Sequence, residues 1–252
     1  MFFPILATPQ TNGLSPEAHR LACASALLWT FRSRSELQEM ASHLGLLNAG
    51  GRPYTGQNLK DAIQEIHSHD LLVEDMLRPG HFRLVDSLRV PLYRQWLATT
   101  TGTELANLLV TCGGLRRLSL NQVFAYGERA QVVALLRARV LGGARAPEIQ
   151  AYRATLETSH EWSTLIAEAI LEPFDAQSFA GVCPEWRWRC VVEAASETTL
   201  RWPRTLMPVI RWALDEFRAR PTSLPSLSRL ALADLALQRG DGALVAQLLQ
   251  GI

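Results

Sequence analysis

The stretch Leu71-Leu72-Val73-Glu74-Asp75-Met76-Leu77-Arg78-Pro79-Gly80-His81-Phe82-Arg83-Leu84-Val85 reads as two short β-strands joined by a turn. Arg78-Pro79-Gly80 supplies the turn. His81 to Val85 alternates polar and apolar residues, as a half-buried strand does. A two-stranded ribbon of this length is at best marginal alone in water, so it must pack against other elements. The residues before it provide them.

Ser15-Pro16-Glu17 is a helix start, with serine as N-cap, proline at the first helical position and an acid in the first turn. Leu21, Ala24, Leu28 and Phe31 follow on one face. Ser35-Glu36-Leu37-Gln38 fits a capping box and predicts a second helix, with Leu37, Met40, Ala41 and Leu44 as its apolar stripe. Gly45 closes that helix, and Asn48-Ala49-Gly50-Gly51-Arg52-Pro53 is a loop. A third helix is predicted from about Thr55 to His69. Leu59, Ala62, Ile63 and Ile66 face inward; Gln57, Asn58, Lys60, Asp61, Gln64 and Glu65 face outward.

Helix, helix, loop, helix, strand, turn, strand over residues 15–86 resembles a winged-helix domain. In that family the third helix enters the major groove and the wing touches backbone or minor groove. The resemblance implies that Gln57, Asn58, Lys60 and Gln64 face bases, where glutamine and asparagine can read adenine with two hydrogen bonds. It places Arg52, Tyr54 and Thr55 where phosphates pass the helix N-terminus, and makes Arg78, His81 and Arg83 the wing contacts. Leu14 to Trp96 is also similar to amino-terminal regions of some bacterial Swi/Snf-type helicases. That likeness implies an accessory module, the front part or a subunit of a nucleic-acid-dependent ATPase system, with the ATPase on another chain or beyond Ile252.

Beyond Asp86 only helices are expected, at 88–98, 103–112, 119–141, 147–171, 175–181, 185–198, 204–218 and 224–250 with a break at Gly240. They predict an α-helical repeat or an irregular bundle. Leu230 to Leu237, Gln238-Arg239-Gly240-Asp241, and Ala243 to Leu249 resemble a tetratricopeptide-type helical hairpin. The expected class is therefore mainly α: an extended lead-in at 1–14, a winged-helix-like domain at 15–98 and an α-helical repeat-like domain at 99–252. The last helix is apolar where a solenoid ordinarily carries a polar cap, which predicts a partner there or a longer chain.

The 252 residues, 48% of them hydrophobic, can bury a sizeable core. The net charge of +1 brings no strong overall attraction to DNA or membrane. Lys60 is the only lysine. Within 31–94, eight basic residues are balanced by eight acidic ones, two of which, Asp61 and Glu65, lie on the third helix. Dedicated DNA binders usually carry a basic surplus, so a protein-interaction role for the winged helix stays open. Cys23, Cys112, Cys183 and Cys190 form no C-x-x-C and read as reduced thiols in a cytoplasmic protein, with a disulfide or metal role as the alternative. Met1 to Leu6 is too short for a membrane span and lacks the basic region of a signal peptide.

No phosphate-binding loop, H-E-x-x-H or G-x-S-x-G occurs, so a non-catalytic protein without cofactor or metal is expected. His67-Ser68-His69-Asp70, with His81, could offer metal ligands, but histidine is also favourably placed at a helix C-terminus. Trp186-Arg187-Trp188-Arg189, with Trp202 and Trp212, could anchor a protein partner or stack on bases. The alternative is tryptophans packed between helices and arginines reaching solvent. Two functions follow as expectations. The first is a DNA-binding accessory or regulatory module that takes double-stranded DNA, and a protein through its helical region. The second is a protein-interaction scaffold with a structural winged helix.

Overall fold

The computed structural model describes residues 11–112, 126–155, 162–201 and 206–250. The expected lead-in up to residue 10, the predicted helical residues 119–125, 156–161 and 204–205, and Trp202 lie outside the described residues, as does the side chain of Cys112. The chain divides into two compact units, Met1–Ala138 and Arg139–Ile252. Among the described residues it is mainly helical, with one small antiparallel sheet. No helix among them is long and apolar enough to cross a membrane.

The first unit opens with α1, Pro16–Ser25, where the Ser15 hydroxyl accepts from the Ala18 N–H as the N-cap. Next come β1, Arg32–Ser33, and α2, Arg34–His43. The capping box of α2 uses Ser33 with Glu36, not the expected Ser35 with Gln38. Ser33 is the last residue of a strand and has extended backbone, so its hydroxyl can meet the Glu36 N–H while the Glu36 carboxylate accepts from the Ser33 N–H at 2.8 Å. Burial disfavours the charged form of Glu36, but the bonds from Ser33 and the Arg32 guanidinium at 2.8 Å outweigh it and hold its pKa below the usual range.

The third helix, α3, runs Gly56–Ser68 with Thr55 as N-cap, and buries Leu59, Ala62, Ile63 and Ile66 as their spacing predicts. Asp70 follows at φ 57°, a left-handed position that Asp tolerates better than most residues and that turns the chain into β2, Leu72–Glu74. β3, His81–Leu84, pairs with β2 in the register Leu72 to Leu84, Val73 to Arg83 and Glu74 to Phe82. It also pairs on its other edge with β1, Arg32 opposite Phe82 and Ser33 opposite His81, so β3 is the middle strand of three. Two residues are too few to show alternation, so β1 is invisible to a pattern reading.

α4, Asp86–Thr99, buries Leu88, Leu92, Tyr93 and Trp96, and the Trp96 indole donates to the Cys23 carbonyl at 2.8 Å. α5, Gly102–Cys112, packs on α2 and α4, so the first unit continues past residue 98. α6, Tyr126–Leu141, brings Arg137 to Trp29. The Trp29 ring lies between two guanidinium groups, with Arg89 at 4.1 Å and Arg137 at 3.8 Å from its centroid, and with the Tyr93 ring edge-on at 5.1 Å. Arg89 is 1% exposed and pairs with Asp86. Burial pushes the Arg89 pKa down to about 9, against the pull of Asp86.

The second unit holds α7, Ala146–Thr155; α8, Trp162–Leu171; α9, Ala176–Ala180; α10, Pro184–Arg201; α11, Met207–Ala219; α12, Ser226–Gln238; and α13, Gly242–Leu249. α10 packs against α8, α11 and α12. α12 and α13 form the expected helical hairpin, with Gly240 at φ 73° in the turn and Asp241 capping α13 through the Leu244 N–H. Cys23, Cys183 and Cys190 carry free thiols, and burial pushes the Cys23 thiol up to about 12.

The buried Arg89 charge makes a testable demand. Asp86→Asn is expected to lower stability by about 1.5–3 kcal/mol, because it weakens a hydrogen bond between charged groups. Arg89→Met, which removes the buried charge, is expected to cost less. Urea unfolding followed by circular dichroism checks the order, and a greater loss in Arg89→Met would contradict it.

Candidate nucleic-acid interface

An open groove of about 720 Å³ runs along the outer side of α3. Lys60, Gln64 and His67 line it from α3, at spacings of four and three residues that place them on one stripe of the helix. Ser33, Arg34, Ser35 and Gln38 line it from the start of α2, and Gly80 and Phe82 from the β2–β3 hairpin. Its lining includes two permanent cations, a histidine, two amides and two serine hydroxyls, and no carboxylate. Such a set suits an anion with hydrogen-bond acceptors, as a phosphodiester backbone presents.

Where the acids went explains the balance. Glu65 does not stand on the exposed stripe. Its carboxylate accepts from the Ser15 N–H, and from the Ser15 hydroxyl at 2.7 Å, tying α3 to the start of α1. Asp61 remains exposed and accepts from the Gln57 amide at 2.7 Å. Glu36 is held in the α2 capping box, Glu74 accepts from the Gly80 N–H at 2.6 Å, and Asp75 pairs with Arg78 at 2.8 Å. Arg34, Arg52 and Lys60 form no ion pair among the described residues.

Of the residues singled out from the sequence, Lys60 and Gln64 reach the groove. Arg52, Thr55, Gln57 and Asn58 are exposed at or before the start of α3, where Thr55 donates to the Asn58 side chain at 2.5 Å. Tyr54 is not available to a phosphate. It is 5% exposed and its hydroxyl donates to the Glu17 carbonyl at 2.8 Å. Burial pushes its phenol up to about 12. Arg78 holds the hairpin turn through Asp75. His81 and Arg83 alternate with Phe82 along β3 and therefore leave from the opposite face of the strand, where the Arg83 guanidinium lies 5.1 Å from the Phe31 centroid. Arg34, Ser35, Gln38 and His67 were missed as lining residues. His67 could have been found by continuing the stripe of Lys60 and Gln64 one turn further.

The tryptophan-arginine cluster is largely internal to the second unit. Trp186 is 3% exposed, with the Arg189 guanidinium 5.3 Å from its centroid. Arg187 donates to the Ala180 and Val182 carbonyls at 2.5 and 2.7 Å, clamping the end of α9. Trp188 and Trp212 are half-buried with centroids 5.7 Å apart, and Phe179 meets Trp212 edge-on at 4.8 Å. These contacts join α9, α10 and α11. Trp186 and Arg187 are thereby committed to packing, in line with the internal-packing alternative. Among the described residues no group of three or more His, Cys, Asp or Glu side chains is placed to hold a metal ion.

No protein-family model matches the chain, and neither curated proteins nor solved structures yield a match.

The two acids of α3 are expected to behave oppositely. Glu65→Ala should cost about 1.5–3 kcal/mol, because it removes charged hydrogen bonds to Ser15. Asp61→Ala should stay within about 0.5 kcal/mol of the parent. Chemical denaturation of the two variants checks this, and equal effects would show that Glu65 does not tie α3 to α1.

Proposed function

We propose that the chain is a non-catalytic DNA-binding module in which residues 15–86 act as a winged helix and α3 presents Lys60, Gln64 and His67 to double-stranded DNA. The observation that carries this reading is the groove whose lining holds Arg34, Lys60 and His67 and no carboxylate. The strand order β1-β3-β2 around three helices supports it, because it sets the hairpin beside the exposed stripe of α3. Arg34 at the first turn of α2 and Lys60 on α3 contact phosphates, while Gln57, Asn58 and Gln64 face base edges.

A protein-interaction scaffold is the second reading, favoured by one observation. On α12, Leu227, Leu230 and Leu237 are 73%, 46% and 63% exposed, and their spacing sets them on one side of the helix.

Fluorescence anisotropy of labelled duplex DNA over a salt series tests the first reading. Binding is expected to be micromolar or tighter at low salt and to weaken as salt rises. Arg34→Ala with Lys60→Ala should weaken binding and lower the log–log salt slope by about 1.8, roughly 0.9 per lost phosphate contact. Absence of binding at roughly 50 mM salt would remove the DNA reading and leave the α12 face as the lead.

A further inference from the structure

The turn between β2 and β3 exposes two large apolar side chains. Met76 is 97% exposed and Leu77 is 91% exposed. The turn that carries them is built by specific hydrogen bonds. The Asp75 N–H donates to the His81 carbonyl at 2.9 Å, and the Leu77 N–H to Asp75 Oδ1 at 3.0 Å. The Arg78 guanidinium donates to Asp75 Oδ2 at 2.8 Å, and the Gly80 N–H to Glu74 Oε1 at 2.6 Å. The two carboxylates of the turn are thus engaged inside it, and Met76 and Leu77 are left at its apex. The same hairpin places Gly80 and Phe82 in the lining of the cationic groove, beside Lys60 and Gln64. Whatever fills that groove borders the hairpin that ends in Met76 and Leu77.

We propose that Met76 and Leu77 form an apolar wedge that enters a base step of the bound duplex, unstacking and bending it. The proposal rests on the DNA reading above. Leucine and methionine are among the side chains that minor-groove proteins insert between bases, and the apolar faces of the bases cover them as water cannot. The division of labour follows from the chemistry. Arg34 and Lys60 suit the phosphates, whereas the apex, with no free cation of its own, suits the stack. A lipid surface would also cover an apolar apex, but the groove continuous with the hairpin has the charge and hydrogen-bonding character of a phosphodiester site.

The test uses the whole chain and a short duplex carrying 2-aminopurine at successive positions, with a fluorescence donor and acceptor at its ends. Saturation is expected to brighten 2-aminopurine at one step and to bring the ends together by a bend of roughly 20–90°. Met76→Ser with Leu77→Ser should still bind with the parent salt slope, yet lose both the brightening and the bend. Met76→Leu with Leu77→Met should retain them, and the melting curves of both variants should match the parent. A parent that binds without bending the duplex, or a serine variant that bends it equally, overturns the wedge and leaves the DNA reading standing. Failure of the parent to bind any duplex removes both. Sedimentation with phosphatidylcholine–phosphatidylserine vesicles that is lost in the serine variant, with no bending of DNA, assigns the apex to lipid and also overturns the wedge.

Discussion

The pairing of β1 with β3 is the contact on which the groove of the first unit depends. Ser33 is at once the partner of His81 in the sheet and the N-cap of α2. Two residues of backbone pairing therefore fix where α2 begins, and with it where Arg34, Ser35 and Gln38 stand relative to the hairpin. α3 is held on the other side by its own buried stripe and by the Glu65 bonds to Ser15. The groove exists because these two constraints set the start of α2, the outer side of α3 and the turn end of the hairpin around one space. α3 supplies nearly half of its lining residues, and the start of α2 and the hairpin supply the rest.

Charge placement, rather than charge total, gives the groove its character. The balance of eight bases and eight acids over 31–94 suggests a neutral surface. The fold spends several acids on construction: Glu36 on a cap, Glu65 on the start of α1, Glu74 and Asp75 on the hairpin turn, and Asp86 on a buried arginine. Arg32, Arg78 and Arg89 are matched to acids in the same way. Arg34 and Lys60 are left facing the groove. A count over sequence cannot separate structural charges from presented ones, because the distinction lies in which atoms meet.

The hairpin was legible because alternation and a Pro-Gly turn are local signals, and α3 because its apolar stripe is strongly periodic. α2 is capped two residues earlier than the Ser35 that its sequence suggests. Ser33 and Ser35 both offer a hydroxyl, and only the pairing of β1 decides between them. Tyr54 beside a loop reads as exposed from sequence, whereas its ring is buried in the first unit and its hydroxyl reaches Glu17. The position of Glu65 on the outer arc of α3 was correct as helical geometry, but the neighbour that covers it lies fifty residues earlier in the chain. In the second unit, glycine and proline punctuation bounds most of the helices, but the continuous helix expected at 147–171 is described as α7 and α8, with residues 156–161 outside the described residues. Whether Trp186 faced solvent or a neighbouring helix could not be read from spacing, since both outcomes fit an amphipathic α10.

The stack of Arg89, Trp29 and Arg137 bears on the order in which the chain assembles. Trp29 follows α1 almost at the start of the described chain, and Arg137 lies near the end of the first unit. The helices and sheet between residues 15 and 99 can form from contacts made within that stretch, but one face of Trp29 stays open until α6 has been synthesised and has docked. During synthesis, the first unit thus passes through a stage in which its sheet and groove are assembled while an indole is still wet. Arg137 is then the residue that completes the unit.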